Sequence, residues 1–280
     1  MVTVLGMHRS GTSLLTRGLK SLGIYLGDDF VEVQPDNPTG YWEDRHLQDL
    51  NERVLKALGL KWESVAFLED ARWAEPEIEA IRMDAIEYIR ANFLAHPLWG
   101  FKDPRTLRLL PFWSPVIQRL GVKDAYVMVI RNPLSVAQSL IARQPDIFDA
   151  AMAHGLWLVH MVPYFSWVAQ KPFIVTDYDL FMDDPRGQLE RIGRALEIPP
   201  TDASSGEIED FIGNFIDPEL RHSQFDRLDR DFVPHLSILV QKAYLCLRRL
   251  ATDRVGPDRS QYWSEWKQIE TATQRFFENE

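Results

Sequence analysis

Short apolar runs alternate with longer amphipathic stretches along most of the chain. "VTVL" at 2–5 is apolar and largely β-branched, the pattern of a strand buried on both faces. The run 10–22 places Leu14, Leu15, Leu19 and Leu22 at helical spacing, and Gly23 stops it. Helices are then expected over 47–58, closed by Gly59, and over 76–94, with Pro76 suited to the first turn. "LWGFKDPR" (98–105) reads as a short strand entering a loop, and 106–120 as a helix interrupted by Pro111 and Pro115. "DAYVMVIRNP" (124–133) is the clearest buried strand. Helices follow over 134–143 and over 148–169, the second rich in Trp, His and Met with a kink at Pro163. "PFIVTDYD" (172–179) supplies a fourth strand, and 185–196 a further helix. After "EIPPTDASSGE" the pattern loosens, and helices over 234–252 and 260–278 close the chain. Between 24 and 46 no period emerges. "QPDNPTGYWED" marks that stretch as a long irregular loop, a kind that in compact folds usually serves function.

Apolar strands at 2–5, 98–102, 125–130 and 172–176, separated by helices, define an α/β fold with a central, mainly parallel sheet flanked by helices. Ligands of such sheets sit beyond the carboxyl ends of the strands. The polar residues that follow the strands should therefore converge: His8, Arg9, Lys102, Asp103, Arg131, Asn132, Thr176 and Tyr178. Length and continuity favour one domain over 1–280, with a helical C-terminal part from about 200.

The formal net charge of -10 argues against a nucleic-acid partner, which calls for a basic surface, so any anionic ligand must be held by local groups. Cys246 is the single cysteine, so no internal disulfide forms, and it is expected to be a buried small hydrophobe. No apolar run approaches the roughly 18 residues of a membrane span, and no basic leader precedes Val2; a cytoplasmic protein is expected.

The chemistry concentrates in "VTVLGMHRSGTSLLTRGL". A strand, a Gly-bounded loop and a helix form the layout of a phosphate-binding loop, in which backbone N–H groups and the positive end of the helix face an anion. Gly6 and Gly11 permit the turn, Ser10, Thr12 and Ser13 add hydroxyls, and Arg9 adds a planar charged fork. The lysine that reaches the β- and γ-phosphates of ATP is missing, because the loop ends Gly11-Thr12-Ser13. With no strand resembling a Walker-B segment either, ATP hydrolysis is poorly supported. Farther on, "VIRNPLSVAQSL" sets Arg131 at a strand end and Ser139 on the following helix, where the two can meet at one point.

On Arg9-Ser10-Gly11-Thr12 and "VIRNPLSVAQSL" the sequence resembles the sulfotransferases that use 3′-phosphoadenosine-5′-phosphosulfate (PAPS) and release adenosine 3′,5′-bisphosphate (PAP). The resemblance covers 2 to about 196 and implies a P-loop-like sulfotransferase architecture. It implies that Arg9, Ser10, Gly11, Thr12 and Ser13 grip the 5′-phosphosulfate and that Arg131 with Ser139 holds the 3′-phosphate. "VTDYDLFMDDP" resembles a family segment whose tyrosine lies near adenine, here Tyr178, with Asp179 where the family has Glu. "FKDPR" resembles a Lys-Asp-Pro segment of some members, and beyond 200 only "PELRHS" (218–223) looks similar.

Sulfuryl transfer resembles phosphoryl transfer and needs cations on the sulfuryl and bridging oxygens and a base for the acceptor hydroxyl. Arg9 is the first candidate cation and Lys102 the second. Arg9 stands where the family often has Lys, and it stays charged throughout, so it stabilises a leaving group without protonating it. Family members use His or Glu as base. Glu43, in "NPTGYWED", resembles an acidic segment of the Glu-using branch, and His8 within the loop is the runner-up. The charge of a bound cofactor would favour the protonated form of His8, which cannot act as a base. Asp44 reads as the start signal of the next helix. Trp42 and Trp62 are placed to stack on a sugar. No metal-ligand spacing is visible and no metal is expected. The expected function is sulfuryl transfer from PAPS to a hydroxyl or amine of a small-molecule acceptor, such as a carbohydrate. Against it stand an atypical nucleotide or small-molecule kinase and a non-catalytic nucleotide-binding adaptor. Neither acceptor identity nor oligomeric state follows from the residues.

Overall fold

β1 (Val2–Leu5) is buried along its whole length, and its register with its neighbours organises the rest. In the computed structural model, which describes residues 1–34, 37–68, 70–199, 204–217 and 237–278 (backbone only at 70, 71 and 204), β1 lies between two parallel partners. They are β2 (Gly100–Lys102) and β3 (Ala125–Ile130), with Val2 opposite Gly100 on one side and opposite Ala125 on the other. β4 (Phe173–Asp177) adds to β3, again in parallel, giving the order β2-β1-β3-β4. The expected parallel sheet is thus present. Alternation along the strands sorts the side chains: Leu5, Met128, Ile130 and Val175 join one core, and Val4, Val127, Val129 and Ile174 join another on the opposite face.

Helices cover both faces. On one side α1 (Thr12–Lys20) and α8 (Pro185–Ala195) supply Leu15, Leu19, Leu189 and Ile192. On the other lie α5 (Pro133–Arg143), α6 (Ala150–Met161), α10 (Ile238–Ala251) and α11 (Ser260–Glu278). Beyond β2, α2 (Arg45–Ala57), α3 (Pro76–Asn92) and α4 (Leu110–Leu120) enclose a third cluster around Trp113 and Phe93. Asp44 caps α2 as expected, accepting from the Leu47 N–H, and Cys246 is buried.

Three local expectations change. α4 begins at Leu110 rather than 106, because Pro111 occupies its first turn, where a missing N–H costs nothing. The long helix expected over 148–169 ends at Met161; Pro163 follows, Tyr164 turns left-handed at φ 63°, and a 3-10 turn resumes at Phe165. The strand expected over 172–179 ends at Asp177, which caps a further helix, α7 (Tyr178–Asp183), accepting from the N–H groups of Asp179 and Leu180. α9 (Ser204–Asp210), followed by a π-helical turn at Phe211–Phe215, fills the stretch the pattern left open. "PELRHS" and the start of the helix expected from 234 lie outside the described residues.

Candidate active site

The strand order reverses direction at β1, and the loops that follow β1 and β3 leave in opposite directions around the crevice between them. The loop after β1 turns through Arg9 (φ 65°) and Gly11 (φ 86°) into α1. Gly11 is required there twice over: its φ is left-handed, and a Cβ would come within 2.2 Å of the Tyr178 ring. α1 starts without a side-chain cap and carries no acid in its first turn, so its first N–H groups face the crevice with positive partial charge. The Ser10 hydroxyl is fully buried there and has no hydrogen-bond partner among the described residues. A buried orphan hydroxyl beside an uncapped helix start fits a phosphate or sulfate oxygen.

Three basic side chains reach the same place from three elements. Lys102, at the end of β2, is 2% exposed. Its ammonium donates to Glu43 Oε1 (2.6 Å), the Tyr41 carbonyl (2.8 Å) and Ser13 Oγ (3.1 Å). Arg131, after β3, donates from Nη1 to the Arg9 carbonyl at 3.1 Å and lays its guanidinium 4.4 Å from the centre of the Tyr178 ring. Arg9 reaches across to α5, where its Nε donates to Ser139 Oγ at 2.8 Å. Of the candidates read from the sequence, His8, Arg9, Gly11, Thr12, Ser13, Glu43, Lys102, Arg131 and Tyr178 line one cleft of about 170 Å³. Ser10 lies beneath its floor, and Ser139 is tied to it through Arg9 rather than bonded to Arg131.

Glu43 is brought in by the irregular stretch that joins α1 to α2. It is 7% exposed, with Arg105 Nη1 3.9 Å from its second oxygen. Arg105 also holds Asp103 (2.6 Å) and Glu52 (2.6 Å), so a chain of alternating charges backs the cleft. Burial pushes the Asp103 carboxyl up to about 6, against the pull of Arg105.

His8 differs from expectation. Its ring lines the cleft, but Nε2 is enclosed without a partner. Trp62 lies 4.4 Å and His160 5.8 Å away, ring centre to ring centre. Burial first, then Arg105, His160, Lys102 and Arg143, holds its pKa well below the usual histidine value. In this setting His8 is neutral, so a protonated ring is no objection to it as a base.

The two tryptophans do not line the cleft. Trp42 packs on Phe30 and Phe215 with Arg17 and Lys20 over its face, and Trp62 stands behind His8. The motifs did not single out Arg143 and Tyr41, which meet at the rim at 3.5 Å, or the ion pairs of Arg105. No cluster suited to a metal ion occurs among the described residues. None of their helices is long and apolar enough to cross a membrane.

No protein-family model matches the chain, and no curated protein sequence matches it. Among solved structures it is similar to the sulfotransferase domain of the Synechococcus PCC 7002 olefin synthase, at 17% identity and a TM-score of 0.47, over 97% of this chain and 93% of that one. It is similar to the sulfotransferase domain of the curacin biosynthetic pathway at 15% identity and 0.47, over 96% of each chain. It is also similar to sulfotransferase STF1 of Mycobacterium tuberculosis H37Rv at 16% identity and 0.43, over 74% of this chain and 70% of that one.

Proposed function

We propose that the protein is a PAPS-dependent sulfotransferase acting on a hydroxyl. One observation carries the reading: at the crevice between β1 and β3, an uncapped helix start with an orphaned Ser10 hydroxyl meets Arg9, Lys102 and Arg131. This set fits a nucleotide with two phosphorylated positions, and the loop before α1 lacks the lysine that a γ-phosphate would need.

PAPS, when bound, supplies an activated sulfuryl group. The first N–H groups of α1 and the Ser10 hydroxyl hold the 5′-phosphate. Arg9 and Lys102 neutralise charge on the sulfuryl and bridging oxygens. Arg131 holds the 3′-phosphate, and Ser139 joins it by exchanging Arg9 for the phosphate. Tyr178, fixed against Gly11 and Arg131, lies beside the adenine. Glu43 takes the proton of the acceptor hydroxyl as the new S–O bond forms and the bond to the bridging oxygen breaks. Its 2.6 Å contact with the Lys102 ammonium supports pairing the base with a cation in this reading.

Calorimetric titration with PAP, 5′-AMP and ATP tests the site, and sulfate transfer from labelled PAPS to phenols, sugars and hydroxy acids tests the activity. PAP is expected to bind more tightly than either other nucleotide. Equal binding of PAP and 5′-AMP would refute the 3′-phosphate site, and magnesium-dependent ATP turnover without PAPS would establish the kinase instead.

A further inference from the structure

Arg108 lies between β2 and α4, is 1% exposed, and has no acidic partner among the described residues. Its Nη2 donates to the Ala66 carbonyl at 2.6 Å, while Nε and Nη1 are buried without partners. Arg105, three residues earlier, also buries an unpartnered Nε, but its charge is by contrast paired with Asp103 and Glu52. Burial lowers the Arg108 pKa to about 10, and Tyr164 alone opposes that shift. An enclosed guanidinium with no acid beside it is expensive to bury and is satisfied by an anion brought from outside.

Its surroundings point to the same place. His160 donates from Nδ1 to the Leu156 carbonyl at 2.9 Å, which leaves Nε2 as a bare acceptor, buried and unpartnered. Burial, then Arg108, lowers its pKa to about 3, so the ring is neutral. The His160 ring stands edge-on to His8, which lines the cleft. Thr106 Oγ1 is likewise buried and unpartnered. The irregular strap 60–68, which joins α2 to the turn before α3, meets two of these residues. Trp62 of the strap packs on His8 with the rings tilted by 42°, and the Ala66 carbonyl accepts from Arg108. Trp62 and Ala66 are four positions apart, so their Cα atoms are at most about 14 Å from each other.

We propose that Arg108 and His160, against this strap, form the acceptor subsite, and that it takes an acceptor bearing a carboxylate. Arg108 receives the carboxylate, and the acceptor's hydroxyl lies toward His8 and the cleft. With both histidines neutral and Arg105 paired, the uncompensated charge is a single positive one, which matches a monoanion rather than a phosphate dianion. The placement of the hydroxyl rests on the transferase reading of the cleft; the anion site does not.

Two measurements test this on the whole chain. First, thermal unfolding is followed in sodium formate and in sodium chloride at equal ionic strength. Formate is expected to raise the Tm of the wild type above the chloride value and to leave Arg108→Met unchanged, with Arg108→Lys intermediate. Formate and chloride acting alike on the wild type would overturn the anion site, as would an equal formate shift in wild type and Arg108→Met. If Arg108→Met does not fold, Arg108→Gln takes its place. Second, PAP-loaded protein is titrated with 4-hydroxyphenylacetate and with its methyl ester. The acid is expected to bind at least tenfold more tightly, and Arg108→Met to remove that difference while PAP affinity stays within twofold. Equal binding of acid and ester, or no binding of either where PAP binds, would overturn the acceptor assignment. Failure of PAP to bind the wild type would sink the transferase reading, with the formate comparison still deciding the anion site.

Discussion

Glu43→Gln tests the cleft most directly, because one substitution changes stability, binding and turnover in different directions. Lys102 Nζ has three protons and three partners, and the shortest contact, 2.6 Å, is to Glu43. Opposite unit charges that close attract by roughly 6 kcal/mol at an effective dielectric of about 20, and desolvation of both groups cancels much of that. Removing one partner of a buried pair costs about 3–5 kcal/mol. Glutamine keeps an amide oxygen for Lys102, which reduces the cost to roughly 2–3 kcal/mol, or a fall in Tm of about 4–10 °C for a chain of this size. The neutralised site then presents more positive potential to an anion, so PAP affinity should rise by about three- to tenfold, and PAP should restore most of the lost Tm. Turnover should fall on the order of 10²-fold or more as the base is lost. Differential scanning calorimetry with and without PAP, together with single-turnover sulfate transfer, measures all three. A variant as stable as the wild type with unchanged PAP affinity would refute the ion-pair argument. Normal turnover in Glu43→Gln, beside a His8→Asn variant that is inactive yet still binds PAP, would move the base to His8.

Ser10→Ala should leave the stability of the free protein unchanged or slightly raised, since the lost hydroxyl is buried without a partner, yet weaken PAP by roughly 3- to 10-fold in calorimetry. Gly11→Ala adds left-handed strain of about 1–2 kcal/mol to a 2.2 Å clash with Tyr178; PAP binding should be largely lost, and retained binding would show that the ring moves freely. Arg131→Ala should remove most of the preference for PAP over 5′-AMP, a charge-assisted contribution of roughly 1.5–3 kcal/mol. Acid titration checks the buried histidines: the folded His160 pKa of about 3 lies below the unfolded value of about 6.5, so its contribution is complete above 6.5 and is lost as pH falls toward 3. Burial of Asp103 acts in the opposite sense, its contribution growing as pH falls through about 6. His160→Gln should therefore flatten the fall in Tm between pH 6.5 and 5, a window worth roughly 2 kcal/mol at 1.36 kcal/mol per unit.

The strands were legible because each is a short apolar run closed by a charged or turn residue: "VTVL" before Gly6, "AYVMVI" before Arg131. Their convergence followed from parallel topology, which sends the loop after every strand to the same edge. Helix ends were less legible where a proline had two readings. Pro111 reads as an interruption and is a first-turn residue; Pro163 reads as a kink and marks an end. α7 was missed although its signal was present: Asp177 ahead of Tyr178 is an N-cap, and a strand ending on a buried aspartate called for that reading. Within the site, motifs located residues that line the cleft but not the groups that face each other. No spacing rule pairs Lys102 with Glu43, Arg9 with Ser139, or Arg105 with Glu52, because these contacts join residues 59, 130 and 53 positions apart or nearly so only after the chain has folded. The neutrality of His8 was hidden for the same reason, since burial and cations contributed from other elements set it.

The buried polar groups of this end of the molecule divide into two sets, those that pair among themselves and those that no described residue completes. Lys102, Glu43, Arg105, Asp103 and Glu52 compensate one another, so their charges are stable in the free protein and hold β2, α2 and the stretch between α1 and α2 in place. Ser10, Arg108 and His160 have polar atoms that no described residue satisfies. A fold keeps such groups at a cost of stability, since each could be replaced by an apolar side chain with little loss or a gain. Their retention side by side, on either side of His8, is accounted for when each is completed by a different ligand: a phosphate over Ser10, a carboxylate over Arg108. His8, neutral and packed against Trp62 of the strap, lines the cleft on one side and meets the His160 ring on the other, so it joins the two groups.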